Sequence, residues 1–258
     1  MREITWVAPD LAKPGCEPGF AAVLELARRE AADRRVHLKI RTARWPIWAA
    51  GWPLHRKCWS LREARVLRSL RAAGLDAVEP RIAGAQIARG EGRAFLATRL
   101  LRGPDLERAV LQREAPSTWA ASIGAALAAL HGAGFVHRDA YLRNLVLEGR
   151  ALVWIDAHRG GRPRFAPWLS PRGFAYDLAC LELDLLAIAE DAERRFFWEA
   201  YLADAPFPPP RPRLQRLVAA ARARLVRRFL SRRAAVQVAQ AARIGLGIDS
   251  LLQRWARG

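Results

Sequence analysis

The stretch from His137 to Asp156 leaves its backbone few choices. The polar run His137-Arg138-Asp139-Ala140-Tyr141-Leu142-Arg143-Asn144 reads as a loop, entered from a helix through Gly134-Phe135-Val136. After it come two hairpin strands: Ala151-Leu152-Val153-Trp154-Ile155 alternates as a strand should, and Glu148-Gly149-Arg150 supplies the turn. Asp139 and Asn144 therefore lie five residues apart on one loop, and Asp156 follows Asn144 by twelve residues, at the end of a strand.

That spacing carries a chemical meaning. Moving a phosphoryl group needs a carboxylate to orient or accept the proton of the acceptor hydroxyl. It also needs an amide oxygen and a second carboxylate to hold the Mg²⁺ that neutralises the ATP phosphates. A lone His-Arg-Asp arises easily by chance in an arginine-rich chain, and the plainer reading of it is a solvated loop; the joint pattern is much rarer.

Composition narrows the class. At 258 residues, 52 % of them hydrophobic, the chain buries a substantial core in one large domain or two lobes. Cys16, Cys58 and Cys180 are widely spaced and form no CxxC pair, so neither a disulfide framework nor a zinc site is expected, and a reducing cytoplasm is the natural compartment. Met1-Arg2-Glu3-Ile4-Thr5-Trp6 lacks the features of a signal peptide, and the apolar run Trp119–Leu130 falls well short of the ~20 residues of a bilayer span. The net charge of +18 rests on 40 arginines and three lysines, Lys13, Lys39 and Lys57. A surface this basic attracts anionic lipid, anionic saccharide or nucleic acid. No helix-turn-helix, zinc finger or RNA-binding motif is present, so no specific nucleic acid is expected.

Along the chain, residues up to about Leu101 read as a small mixed lobe: a strand at Val36–Ile40, a helix at Ser60–Leu70, and a hairpin of Arg81–Ala88 with Ala94–Leu100. Beyond Arg102-Gly103-Pro104 the pattern turns helical. Helices are expected at Pro104–Gln112, Ser117–Leu130, Tyr176–Glu190, Glu193–Leu202, Leu214–Leu230 and Ser231–Trp255, with a stiff proline-rich connector at 206–212. The domains are thus 1–101 and 102–258.

The loop needs partners. Lys39 sits mid-strand in a chain that writes nearly every base as arginine: either its compact ammonium reaches phosphate, or it is an ordinary exposed strand lysine. Glu63 shares a helical face with Leu67 and Leu70, where it points at Lys39 or pairs with Arg62 or Arg65. Asp177 reads as an acid at a helix start.

These residues together resemble the bacterial lipopolysaccharide kinases of the Kdo/heptose kinase type, a branch of the protein kinase-like superfamily. The resemblance runs from about Val36 to Leu186 and rests on the His137–Asn144 run, on Ile155-Asp156-Ala157-His158-Arg159, and on the short segment ending at Asp177-Leu178-Ala179. It implies an α+β, bilobal protein kinase-like fold with a small β-rich N-lobe and a larger helical C-lobe. By position, it makes Asp139 the catalytic base, Asn144 and Asp156 the metal ligands, and Lys39 with Glu63 the phosphate-positioning pair, with ATP and Mg²⁺ as cofactors. Asp177 would bond the loop backbone, His137 would support the loop, and His158 and Arg159 would contact phosphate or an anionic acceptor, or pack. The implied reaction is phosphorylation of a sugar hydroxyl of the lipopolysaccharide inner core or a related glycolipid, at the cytoplasmic face of the inner membrane. The alternatives are a protein or small-molecule kinase of the same fold and a non-catalytic module binding anionic lipid or nucleic acid.

The sequence departs from the superfamily before Lys39: residues Gly19–Glu30 read as a helix where a glycine-rich loop is expected, with only Gly15 and Gly19 nearby. Trp45, Trp48, Trp52 and Trp59, interleaved with Arg41, Arg44, Arg56 and Lys57, suit a membrane headgroup interface or packing between lobes. The basic C-terminal helices suit an anionic membrane, an acidic glycolipid or plain solvent.

Overall fold

The computed structural model describes residues 2–12, 19–44, 58–88, 91–162, 171–205 and 211–256. The chain divides into two compact units, Met1–Arg102 with Val153–Arg159, and Gly103–Leu152 with Gly160–Gly258.

The first unit is built on a four-stranded antiparallel sheet of order β1-β3-β4-β2, from β1 (Arg2–Val7), β2 (Val36–Arg44), β3 (Pro80–Ala88) and β4 (Glu91–Arg99). Because successive strand side chains point to opposite faces, β3 and β4 divide their apolar residues between two covering helices. On one face Ala83, Ala85, Ala94 and Leu96 pack with Cys58, Leu61 and Ala64 of α2 (Trp59–Ala72) and the residue before it. On the other, Ile82, Phe95 and Ala97 pack with Phe20, Val23 and Ala27 of α1 (Phe20–Ala32). Gly84 makes room there: a Cβ at that position would meet the Phe95 ring at 2.5 Å.

The helix that the sequence places before Lys39 is α1, which leads into β2 through a turn at Arg34 (φ 55°). Strand β1 is an addition to the sequence reading. Ile4 and Trp6 pack on its α2 face, and Glu3 accepts the Phe20 backbone N–H at the start of α1 (2.8 Å). Trp59 also packs there, beneath the Arg41 guanidinium. The rest of the tryptophan-rich segment, with Trp45, Trp48 and Trp52, lies outside the described residues, as does residue 15.

The second unit contains α3 (Leu106–Leu111), α4 (Trp119–Gly132), the strand β5 (Leu145–Glu148), α5 (Arg172–Ile188), α6 (Asp191–Asp204), α7 (Arg211–Leu230), α8 (Ala234–Arg243) and α9 (Ile248–Ala256). β5 turns through Gly149 into β6 (Ala151–Trp154). The hairpin strand therefore starts where the second unit ends; the Trp154 backbone bonds to Asp76 O and Val78 N (both 2.9 Å), which carries Val153–Arg159 into the first unit.

Two expectations change. Ser231–Trp255 is not one helix but α8 and α9, because Gly245 takes φ 71° while Gly245 N–H and Leu246 N–H bond to Ala242 O and Ala241 O, a glycine-terminated helix end. Trp255 then turns inward, donating to Leu183 O (2.9 Å) and packing edge-on against Phe229. The connector at 206–212 is shorter than its prolines imply: Arg211 and Pro212 already belong to α7, whose first turn tolerates a residue without an N–H, and residues 206–210 lie outside the described residues.

α4 and α6 cross closely at Gly124, where a Cβ would meet Phe197 O at 2.3 Å and Tyr201 N at 3.0 Å. Gly124→Ala adds helix propensity of about 1 kcal/mol. The clash is with backbone, which cannot rotate away, and overpacking of that kind costs about 1–3 kcal/mol. The clash wins: Gly124→Ala is expected to lower stability by about 1 kcal/mol net, read as a lower midpoint in urea unfolding with unchanged slope.

Candidate active site

Each unit carries one constellation of the residues singled out from the sequence. In the first, Lys39 projects from the middle of β2 and Glu63 from the first turns of α2, and their Nζ and Oε1 meet at 3.3 Å. Glu63 is not an exposed partner for Arg62 or Arg65: its side chain is 1 % exposed. Burial pushes its carboxyl up from the ordinary value, and the Lys39 ammonium opposes that rise. Its second oxygen has no hydrogen-bond partner among the described residues.

Asp156 completes the group. It follows β6 with φ 56°, a left-handed backbone that a non-glycine residue adopts only where the surroundings hold it, and a short turn of 3₁₀ helix, Ala157–Arg159, comes next. Arg62 steadies that turn by donating to Arg159 O (3.3 Å). Asp156 Oδ1 lies 3.1 Å from His158 Nδ1 and 3.4 Å from Lys39 Nζ. The hydrogen bond from His158, with the Lys39 charge added, holds the Asp156 carboxyl well below the usual carboxylate range in spite of its burial. His158 thus orients the carboxylate, while the Arg159 side chain is exposed.

Glu63, Asp156 and His158 bring their donor atoms within 4.8 Å of one another, as a metal site does. Lys39 already supplies a positive charge to both carboxylates, so the cluster is the seat of an ammonium. The contacts described on Asp156 fall on Oδ1, which leaves an ionised Oδ2 fit to bind a divalent cation.

In the second unit the loop between α4 and β5 is fastened from beneath by α5. Asp177, fully buried, accepts the backbone N–H of His137 (2.7 Å) and of Arg138 (2.6 Å), and His131 Nε2 lies 3.4 Å away. Helix α5 starts at Arg172, so Asp177 stands in its second turn, and not at its first residue. Arg138 has φ 60°, and His137 is buried, a loop support rather than an exposed base. Asn144 donates from Nδ2 to the Asp139 carbonyl (2.7 Å) and carboxylate (3.3 Å), which fixes the five-residue span and leaves its amide oxygen as an acceptor. Arg143 approaches the Asp139 carboxylate at 3.8 Å from over the Tyr141 ring.

One residue of this arrangement escaped the sequence reading. Asp184, two helical turns beyond Asp177, accepts the Leu142 N–H (2.8 Å), so α5 holds the loop at both ends. Burial, reinforced by Glu107, pushes its carboxyl up to about 7. Glu107, on α3, is itself buried and meets Arg243 of α8 at 2.9 Å. The signal was present: an acid seven residues after another, inside the apolar run Leu181–Leu186.

Asp177→Ala leaves the buried His137 N–H and the part-buried Arg138 N–H without an acceptor; the first costs about 1–3 kcal/mol and the second less, so unfolding in denaturant should show a loss on the order of 3 kcal/mol. For Asp184 the folded carboxyl lies above its ordinary 3.8, so the stability it contributes is complete below that value and is lost as pH rises through about 7. Asp184→Asn keeps an acceptor for Leu142 and removes the charge. Between pH 4 and 8 its stability should fall less steeply than that of the unaltered chain, measured by urea unfolding at each pH.

The lipopolysaccharide kinase (Kdo/WaaP) family model matches residues 21–178. No curated protein sequence matches the chain. Among solved structures, WaaP in complex with acyl carrier protein superposes with a TM-score of 0.55 at 22 % identity, covering 88 % of this chain and 98 % of that one. WbdD (TM-score 0.42, 18 % identity, 73 % of this chain, 46 % of that one) is also similar. So is the Mycobacterium tuberculosis PknI kinase domain (0.39, 25 %, 73 % and 78 %). The family match spans more than half of the chain and takes in Lys39, Glu63, the His137–Asn144 loop, Asp156 and Asp177; the chain belongs to the lipopolysaccharide kinase (Kdo/WaaP) family, ATP-dependent phosphotransferases of the protein kinase-like fold.

Proposed function

We propose that this chain transfers the γ-phosphoryl group of ATP to a hydroxyl of a Kdo or heptose residue in the inner core of lipopolysaccharide, working at the cytoplasmic face of the inner membrane. The observation that carries the reading is the Lys39 ammonium held between a buried Glu63 and an ionised Asp156. Such an ammonium is immobilised and partly desolvated, yet at 25 % exposure it stays open to an anionic ligand.

In this reading Lys39 binds ATP phosphate, and Glu63 keeps it from swinging away. Asn144 and Asp156 are the oxygen donors to Mg²⁺, which when bound neutralises phosphate charge and orients the transferred group. Asp139 orients the acceptor hydroxyl and takes up its proton as the oxygen–phosphorus bond forms and ADP leaves. Arg143 and Asn144 limit the rotation of the Asp139 carboxylate. Catalysis of this kind is mostly positioning and fixed charge.

Mg·ATP should raise the melting temperature of the unaltered chain, since a ligand that binds the folded state alone stabilises it. Asp156→Ala should abolish that shift. Asp139→Asn should retain it while losing turnover of a Kdo- or heptose-containing acceptor by 1000-fold or more, on the order of 4 kcal/mol of barrier. Substantial turnover in Asp139→Asn would remove Asp139 from the mechanism, and no shift at millimolar Mg·ATP would remove the nucleotide site. Lys39→Arg should lose about 100-fold in kcat/KM, because a planar guanidinium does not fit the seat of an ammonium.

A further inference from the structure

From Arg211 to Ile248 the sequence carries ten arginines and no acidic residue. Two of the ten are committed to acids elsewhere in the unit, Arg222 to Glu182 and Arg243 to Glu107, each at 2.9 Å. On α7, Leu214, Val218, Leu225 and Phe229 are buried, while Arg213, Arg216, Arg224 and Arg227 are exposed.

α8 breaks the usual rule for a surface helix. Of its ten residues only Ala241 is buried. The rest of its water-facing surface is largely Ala234, Ala235, Val236, Val238, Ala239 and Ala242, with Val236 45 % and Val238 54 % exposed. Leu230, 50 % exposed at the end of α7, continues that apolar surface, and Arg232 and Arg233 stand exposed between the two helices. A helix that faces water ordinarily carries polar side chains there, and an exposed apolar patch with a polar rim marks a surface that something covers.

We propose that α8 and the arginine face of α7 form a docking surface for an anionic lipid bilayer, α8 entering the headgroup layer with Ala and Val side chains while the arginines bind lipid phosphates. Charge complementarity argues for an anionic occupant, and the acid-free tract offers nothing to repel it. The apolar residues separate lipid from the other polyanions. A nucleic acid backbone gains nothing from Val236 and Val238. A protein partner usually seats projecting aromatic anchors, and here Phe229 and Trp255 both point inward. Small apolar side chains spread over a convex helix suit a fluid interface. The inference deepens the proposed function, in which the acceptor is itself lipid-borne, but the binding is measurable without turnover.

The test is co-sedimentation of the full chain with vesicles of phosphatidylcholine alone and of phosphatidylcholine with 30 % phosphatidylglycerol, in 0.1 M salt. Binding is expected to the anionic vesicles only. Val236→Glu with Val238→Glu should weaken it at least tenfold while leaving the melting temperature and turnover of a soluble saccharide acceptor unchanged. Arg28→Ala with Arg29→Ala, on α1, makes the same change in net charge and should bind as the unaltered chain does. Three results would overturn the proposal: no binding to anionic vesicles, equal loss in both double variants, or binding to polyglutamate without binding to vesicles, which would point to an acidic protein instead. If vesicles bind as expected and no kinase turnover is found, the surface stands and the enzymatic reading fails.

Discussion

A carboxylate placed where water cannot reach must have its charge met by the protein, and Asp177 meets that condition by drawing the loop onto itself. Both of its oxygens accept backbone N–H groups, from His137 and Arg138, with His131 of α4 alongside. His131 in turn lies against Tyr201 of α6 and stacks on Phe174 of α5. Three helices and the loop are tied to one charge, so the loop inherits the rigidity of the helical core. Arg138 keeps its left-handed backbone with its N–H held by the Asp177 carboxylate.

In the first unit a single ammonium serves two carboxylates with opposite results. Glu63 is deep enough that burial outweighs Lys39, and its carboxyl is raised; Asp156 has His158 as well, and its carboxyl is lowered. The pair thus comprises a raised carboxyl that anchors the lysine and a lowered one that stays ionised beside it. Environment, and not residue type, makes the assignment.

Much of this was legible in the sequence because it is local. Spacing along one loop and one hairpin placed Asp139, Asn144 and Asp156, and alternation placed Lys39 on a strand. Helical phase put Glu63 on the face of α2 that carries Leu67 and Leu70, and that face is buried. What escaped depends on contacts far apart in sequence. β1 is only six residues long, too short for its alternation to stand out, and is a strand because β3 offers it an edge. Asp184 looks like any acid within a helix until Leu142 is brought to it. His158 acts through a hydrogen bond that spacing alone cannot distinguish from packing. The division of the last basic segment into α8 and α9 turns on Gly245, whose φ could not be read from composition.

The two acids of α5 that hold the loop are separated by seven residues, close to two full turns. That makes the helix a ruler. Deleting or inserting one residue between Asp177 and Asp184 would swing the second acid about 100° around the axis, away from Leu142, although composition and charge would hardly change. Among relatives that keep both anchors, this stretch should therefore refuse changes of length even where its side chains differ, a signature of geometry that an inventory of preserved residues would miss.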